Sequence, residues 1–183
     1  MPYLYVLLSR SDTWFSQVIY HLSPGDFTHA ALALDRDLRF LYSFGRYHPY
    51  MPLPAGFVTE NVHTGIYGRC GSSTCRVYRV SVSEEGYRKT ERLLEYMQKN
   101  AEFYHYNLFG VALCAMKISH RRKAHFFCSE FVAEILNRAG AVTLPKAAHM
   151  MRPADLLNMP ELELIYEGPL RACDHPAAVP DPV

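Results

Sequence analysis

From Tyr3 to Leu8 the chain is apolar at every position, a short continuous run that predicts a strand buried on both faces. Ser11-Asp12-Thr13 then offers a helix cap, and Phe15, Val18, Ile19 and Leu22 recur at helical spacing up to Pro24-Gly25. Thr28 to Leu34 reads as a strand with His29, Ala31 and Ala33 on one face and Ala30, Leu32 and Leu34 on the other. Asp35-Arg36-Asp37 reads as a turn into a return strand, Leu38 to Phe44. On it Leu38, Phe40, Tyr42 and Phe44 share a face opposite Arg39, Leu41 and Ser43. Residues 45–74, broken by prolines and glycines, read as a long lid or binding loop. Cys75 to Val82 alternates again.

Ser83-Glu84-Glu85 caps a helix whose Tyr87, Leu93, Leu94 and Met97 face inward while Arg88, Lys89, Glu91, Arg92 and Glu95 stay wet. Asn107 to Met116 predicts a further, mostly buried helix, and another runs from Cys128 to its stop at Gly140. Arg152-Pro153-Ala154-Asp155-Leu156-Leu157 follows, and Leu162, Leu164 and Tyr166 mark a last strand. Residues 171–183, with three prolines, predict a frayed tail. The mixture of strands and helices without an internal repeat predicts one α+β domain over residues 1–170, an antiparallel sheet packed on the Cys128 helix.

Composition narrows the class. With 183 residues, 49% of them hydrophobic and 20% charged, the chain has the make-up of an ordinary globular domain. A net charge of +1 gives no argument for nucleic-acid binding. Five cysteines do not form a secreted disulfide framework, and the apolar start is too short to span a bilayer. A cytoplasmic, reduced protein without a transmembrane segment is the expectation.

The Cys128 helix carries chemistry as well as packing. Phe131, Val132, Ile135 and Leu136 form one stripe, and Cys128 lies on it at the N-terminus. Free main-chain N–H groups and the helix dipole there favour thiolate, the form in which Cys attacks carbonyl carbon. A plain core thiol would occupy the same place, since free Cys is among the most buried residue types. A cysteine hydrolase also needs an imidazole and a group that orients it. Of nine histidines, His29 is best placed, on a short strand beside small residues. His125, three residues before Cys128, competes, whereas His63 and His149 fall in loops. His63, Cys70 and Cys75 lack the second ligand pair of a zinc site, so no metal and no cofactor are expected. Lys117, His120, Arg121, Arg122 and Lys123 precede the nucleophile helix. Such a run is ordinarily a solvated loop; beside a cleft it would favour an anionic substrate and lower the Cys128 pKa.

Three stretches together resemble a known family: Asp26-Phe27-Thr28-His29-Ala30-Ala31-Leu32-Ala33-Leu34, Leu41-Tyr42-Ser43-Phe44-Gly45-Arg46, and Phe126-Phe127-Cys128-Ser129-Glu130-Phe131-Val132. They are similar to the circularly permuted NlpC-type papain-like hydrolases, which include the YiiX-like proteins and, more distantly, lecithin:retinol acyltransferase. The likeness covers about residues 3–170, and the order, His strand first and Cys helix late, is that of the permuted group. It implies Cys128 as nucleophile, His29 as general base and a third group at Ser43, where relatives often carry Glu, Gln or His. Glu60 is the alternative carboxylate. Tyr106, matching a Tyr-polar pair, and Ser129 are implied to line the site or hold an oxyanion. The substrate class implied is a small molecule, peptide or lipid with an acyl carbonyl. A non-catalytic binding module on the same fold is the other reading, and Arg46 or Tyr47 filling the cleft over Cys128 would favour it.

Overall fold

The computed structural model describes residues 1–10, 27–48, 51, 53–63 and 74–173. The helix expected after Ser11, Cys70, and residues 174–183 of the expected tail lie outside the described residues. The strands are β1 (Tyr3–Arg10), β2 (His29–Ala33), β3 (Leu41–Arg46), β4 (Ala55–Glu60), β5 (Thr74–Ser81), β6 (His105–Tyr106), β7 (His125–Phe126) and β8 (Glu163–Pro169). The helices are α1 (Glu84–Lys99), α2 (Leu108–Ala115), α3 (Cys128–Arg138) and α4 (Pro153–Leu156). One eight-stranded sheet runs in the order β7-β6-β4-β3-β2-β1-β5-β8. Its pairings are antiparallel apart from the parallel contact of β6 with β7. The architecture is α+β.

β1 lies between β2 and β5, so its all-apolar sequence serves two cores. Leu4, Val6 and Leu8 pack with Ala30, Leu32, Phe44 and Phe57 beneath Phe131, Val132 and Leu136 of α3. Leu7 faces the other way, into a second core with Ala31, Ala33, Leu38, Leu41, Val77 and Cys173. Phe44, Phe57 and Phe131 meet at centroid distances of 5.4–5.8 Å, within the range where aromatic edges and faces attract. α3 ends in a Schellman turn: Gly140 sits at φ 67°, with Gly140 N–H on Asn137 O and Ala141 N–H on Leu136 O. α1 begins where Ser83 Oγ accepts the Gly86 N–H at 3.0 Å.

Four expectations need correction. Residues 45–74 are not all loop, because Ala55–Glu60 pairs residue for residue with β3; the prolines before it interrupt only the connection. β3 begins at Leu41, since Leu38 is buried at φ 50° and Phe40 is 57% exposed. The turn therefore breaks the period-two pattern read from Leu38. Of the expected tail, residues 171–173 follow the fold, with Cys173 buried in the second core. α2 is not mostly buried. Its Val111 and Cys114 pack on Phe127, but Leu108 and Phe109 of the helix and Met116, its C-cap, are exposed.

Candidate active site

β2 and β3 touch in register only at Leu32 and Tyr42. Beside that pair the buried Ser43 hydroxyl bridges them, donating to the Ala30 carbonyl at 2.7 Å and lying 3.2 Å from His29 Nε2. A hydroxyl has one proton, and Ala30 takes it. Ser43 Oγ therefore accepts from His29 Nε2–H, which leaves Nδ1 as the ring's basic atom. Burial, helped by the charge of Arg46, pushes the His29 pKa down to about 4, so the imidazole is neutral near pH 7.

Cys128 opens α3, where Glu130 Oε2 accepts the Phe127 N–H at 3.4 Å, half of a capping box. The thiol receives N–H groups from Ala30, Ser129 and its own residue, all favouring thiolate, yet burial outweighs them and lifts its pKa to about 11. The expected low thiol pKa is thus overturned by desolvation. The basic run Lys117–Lys123 does not supply the compensating charge; main-chain dipoles do. The Ala30 contact puts the sulfur against the peptide that joins His29 to Ala30.

Parallel pairing of Tyr106 with Phe126 carries Tyr106 toward the start of α3. Burial raises the Tyr106 pKa well above its ordinary value, the nearby Cys128 adds to that, and Arg46 opposes it. Tyr106, Cys128, Ser129, Thr28, Val111 and Cys114 help to line a slit of about 20 Å³, room for about one water molecule. His29 is not among its described lining residues. Alternation along β2 explains this. His29 takes the face of Ala31 and Ala33, and Ala30 takes the α3 face. The fold thus joins His29 to Ser43, and Cys128 to Tyr106, with the His29–Ala30 peptide between the two pairs. Ser129 Oγ donates to Met151 O at 2.8 Å and is fully buried, so only its main-chain N–H faces the sulfur.

Glu60 pairs with Leu41 at the far end of β3, and burial raises its pKa to about 7 against the opposing charge of Arg46. Arg46 acts on His29, Tyr106 and Glu60 alike. It is the residue whose centrality sequence reasoning missed, naming it only as a possible plug. An Arg closing an otherwise uncharged strand was the one available signal, and its burial came only from the fold. His125 Nδ1 donates to Lys123 O at 2.8 Å beside the His105 ring. His149 Nε2 lies 2.7 Å from Ser119 Oγ, and His63 is exposed. No group of His, Cys, Asp or Glu among the described residues could hold a metal ion. A larger cleft of about 600 Å³ lies on the other flank of α3, with Phe126, Phe131 and Ile135 in its floor and Arg121, Arg122, Lys123 and Arg138 at its edge. No family model matches the chain, and no curated protein matches it closely enough to count as a relative.

Proposed function

We propose that this chain is a cysteine hydrolase or acyltransferase of the permuted NlpC-type papain-like kind, acting on an amide or ester carbonyl. The supporting observation is a thiol at a helix start, ringed by three main-chain N–H groups, one of them from Ala30, the residue that follows a histidine whose tautomer Ser43 fixes. In this reading the Cys128 thiol gives up its proton as sulfur attacks the carbonyl and the acyl group passes to Cys128; His29 Nδ1 takes that proton once its ring turns past the His29–Ala30 peptide to the α3 side of β2. The imidazolium then protonates the leaving group, and water or an acceptor alcohol releases the acyl-enzyme. The N–H of Cys128 and the Tyr106 hydroxyl would receive the oxyanion. With the thiol near 11 and the imidazole near 4, the resting pair is neutral. Proton transfer therefore belongs to the attack itself.

The test is intact-protein mass spectrometry after incubation with p-nitrophenyl esters of short and long acids and with peptide p-nitroanilides. One acyl adduct, located on Cys128 and absent in Cys128→Ala, supports the reading. Acylation unchanged in that variant, or no turnover of either substrate class, refutes it. The second reading, a binding module, draws support from the narrowness of the slit and from buried Arg46, whose charge acts on Tyr106. It predicts that a small thiol reagent alkylates Cys128 while neither substrate class leaves an acyl adduct or is turned over.

A further inference from the structure

α2 has two apolar faces, and the fold uses one. Val111 and Cys114 pack against Phe127. The opposite stripe is left to solvent: Phe109 is 57% exposed, Met116 59% and Ile118 49%. Ala112 and Leu113, between them in sequence, are half-buried. A helix that needed only to close the core would carry polar residues on that side.

The segment after α2 turns back along it. Lys117 takes φ 60°, and the N–H groups of Lys117 and Ile118 close on Cys114 O and Leu113 O, a Schellman ending with Lys where Gly is usual. His120 then reaches the Phe109 ring, edge to face with centroids 6.1 Å apart. Lys117, Arg121, Arg122 and Lys123 are thereby brought beside the apolar stripe, all exposed. Ser119 holds His149 and Arg121 holds Glu134, which fastens the loop to the body. From Phe103 to Ser129 the sequence contains no Asp or Glu. A rigid apolar stripe bordered by exposed Lys117, Arg122 and Lys123 complements an anionic lipid surface, whose headgroups meet the cations while the acyl region takes the stripe. A nucleic acid would use the cations and leave Phe109, Met116 and Ile118 unsatisfied.

We infer that α2 and the basic loop after it form a peripheral docking surface for an anionic membrane. Val111 and Cys114, on the other face of the same short helix, help to line the slit at Cys128, so docking sets a wall of that slit at the lipid boundary. The inference stands on exposure and charge and does not depend on the chemistry proposed for Cys128.

Co-sedimentation of the full chain with vesicles tests it. The chain is expected to sediment with phosphatidylcholine vesicles containing one part in three phosphatidylglycerol, less so as salt rises, and not with phosphatidylcholine alone. Arg122→Gln with Lys123→Gln should lower the partition coefficient on the order of twenty-five-fold, about fivefold per cation. Phe109→Ser with Met116→Ser, at exposed positions where folding is checked by circular dichroism, should abolish sedimentation. Absence of binding to the anionic vesicles overturns the inference. So does a Phe109→Ser, Met116→Ser protein that binds as well as wild type, which would mean simple polyanion attraction. A dimer in solution that this double variant dissociates also overturns it, because a second copy would then cover the stripe.

Discussion

α3 and α2 form two walls of the slit at Cys128, and they are built on opposite terms. α3 buries Phe131, Val132 and Leu136 in the main core above the sheet. Its outward Glu134 is occupied by Arg138 at 2.6 Å and Arg121 at 3.3 Å. α2 rests on the small cluster of Val111, Cys114 and Phe127 and turns Phe109 to solvent. Apolar residues on a helix become core only where another element lies beneath them. α3 has the sheet below it on a broad face; α2 has a neighbour on a narrow one. The surplus apolar surface of α2 is what a partner would use.

The sharpest way to break this contrast is a matched pair of truncations. Phe131→Ala should cost about 3–5 kcal/mol, the range for emptying a buried aromatic site. Phe109→Ala should change stability by less than about 0.5 kcal/mol, as at ordinary surface positions. Urea unfolding of the two variants decides it, and equal losses would mean that α2 is as deeply rooted as α3.

The two walls also meet at their N-termini, where Asn107, the cap of α2, favours the charged form of Glu130. Burial nevertheless raises the Glu130 pKa to about 7. The folded protein therefore holds a proton that the unfolded chain releases near its ordinary carboxylate pKa. Stability contributed by protonated Glu130 is lost as pH rises from about 4.5 to about 7. Glu130→Gln should remove that loss, gaining up to about 3 kcal/mol at pH 8 relative to pH 4.5 when compared with wild type. His29 works with the opposite sign, its stabilisation disappearing as pH falls from about 6.5 to about 4. Thermal melts across this range should thus show the His29 slope more plainly in Glu130→Gln. A variant whose pH profile overlays that of wild type would place Glu130 in a wetter setting.

A smaller effect is expected beneath α3, at Ser43. Its hydroxyl orients His29 but carries no charge to stabilise an imidazolium, so Ser43→Ala should slow turnover about tenfold, or ~1.4 kcal/mol. A loss as complete as that of Cys128→Ala, on any ester or amide the wild type turns over, would contradict the positioning role. A smaller change again is predicted for Asn107→Ala. Its Oδ1 accepts the Gly110 N–H at 3.0 Å, a cap contributing about 1 kcal/mol. Its Nδ2 is buried without a good hydrogen bond, so removing it returns part of that loss. A net destabilisation below about 1 kcal/mol in denaturant titrations is the expectation; 2 kcal/mol or more would mean that the Nδ2 contact with Glu130 matters for joining the walls.

Local order was legible in the residues themselves. The apolar run Tyr3–Leu8, the Ser83 cap, and the span from Cys128 to Gly140 each rest on chemistry within a few neighbouring residues, and each recurs in the fold. The meeting of His29 with Ser43 was likewise approachable, because alternation puts both on one face and the β2–β3 pairing sets them diagonally two residues apart. Three matters were settled only by the tertiary arrangement. The exposure of α2 depends on what lies next to it, which hydropathy does not record. The protonation of Cys128 reverses the expectation from its helix position, because desolvation grows with the number of atoms packed around the sulfur and those atoms come from β2 and α2. The reach of Arg46 to His29, Tyr106 and Glu60 arises from strands brought into one sheet. Capping and periodicity are short-range and written in order along the chain, whereas burial and electrostatics sum over neighbours that only folding assembles.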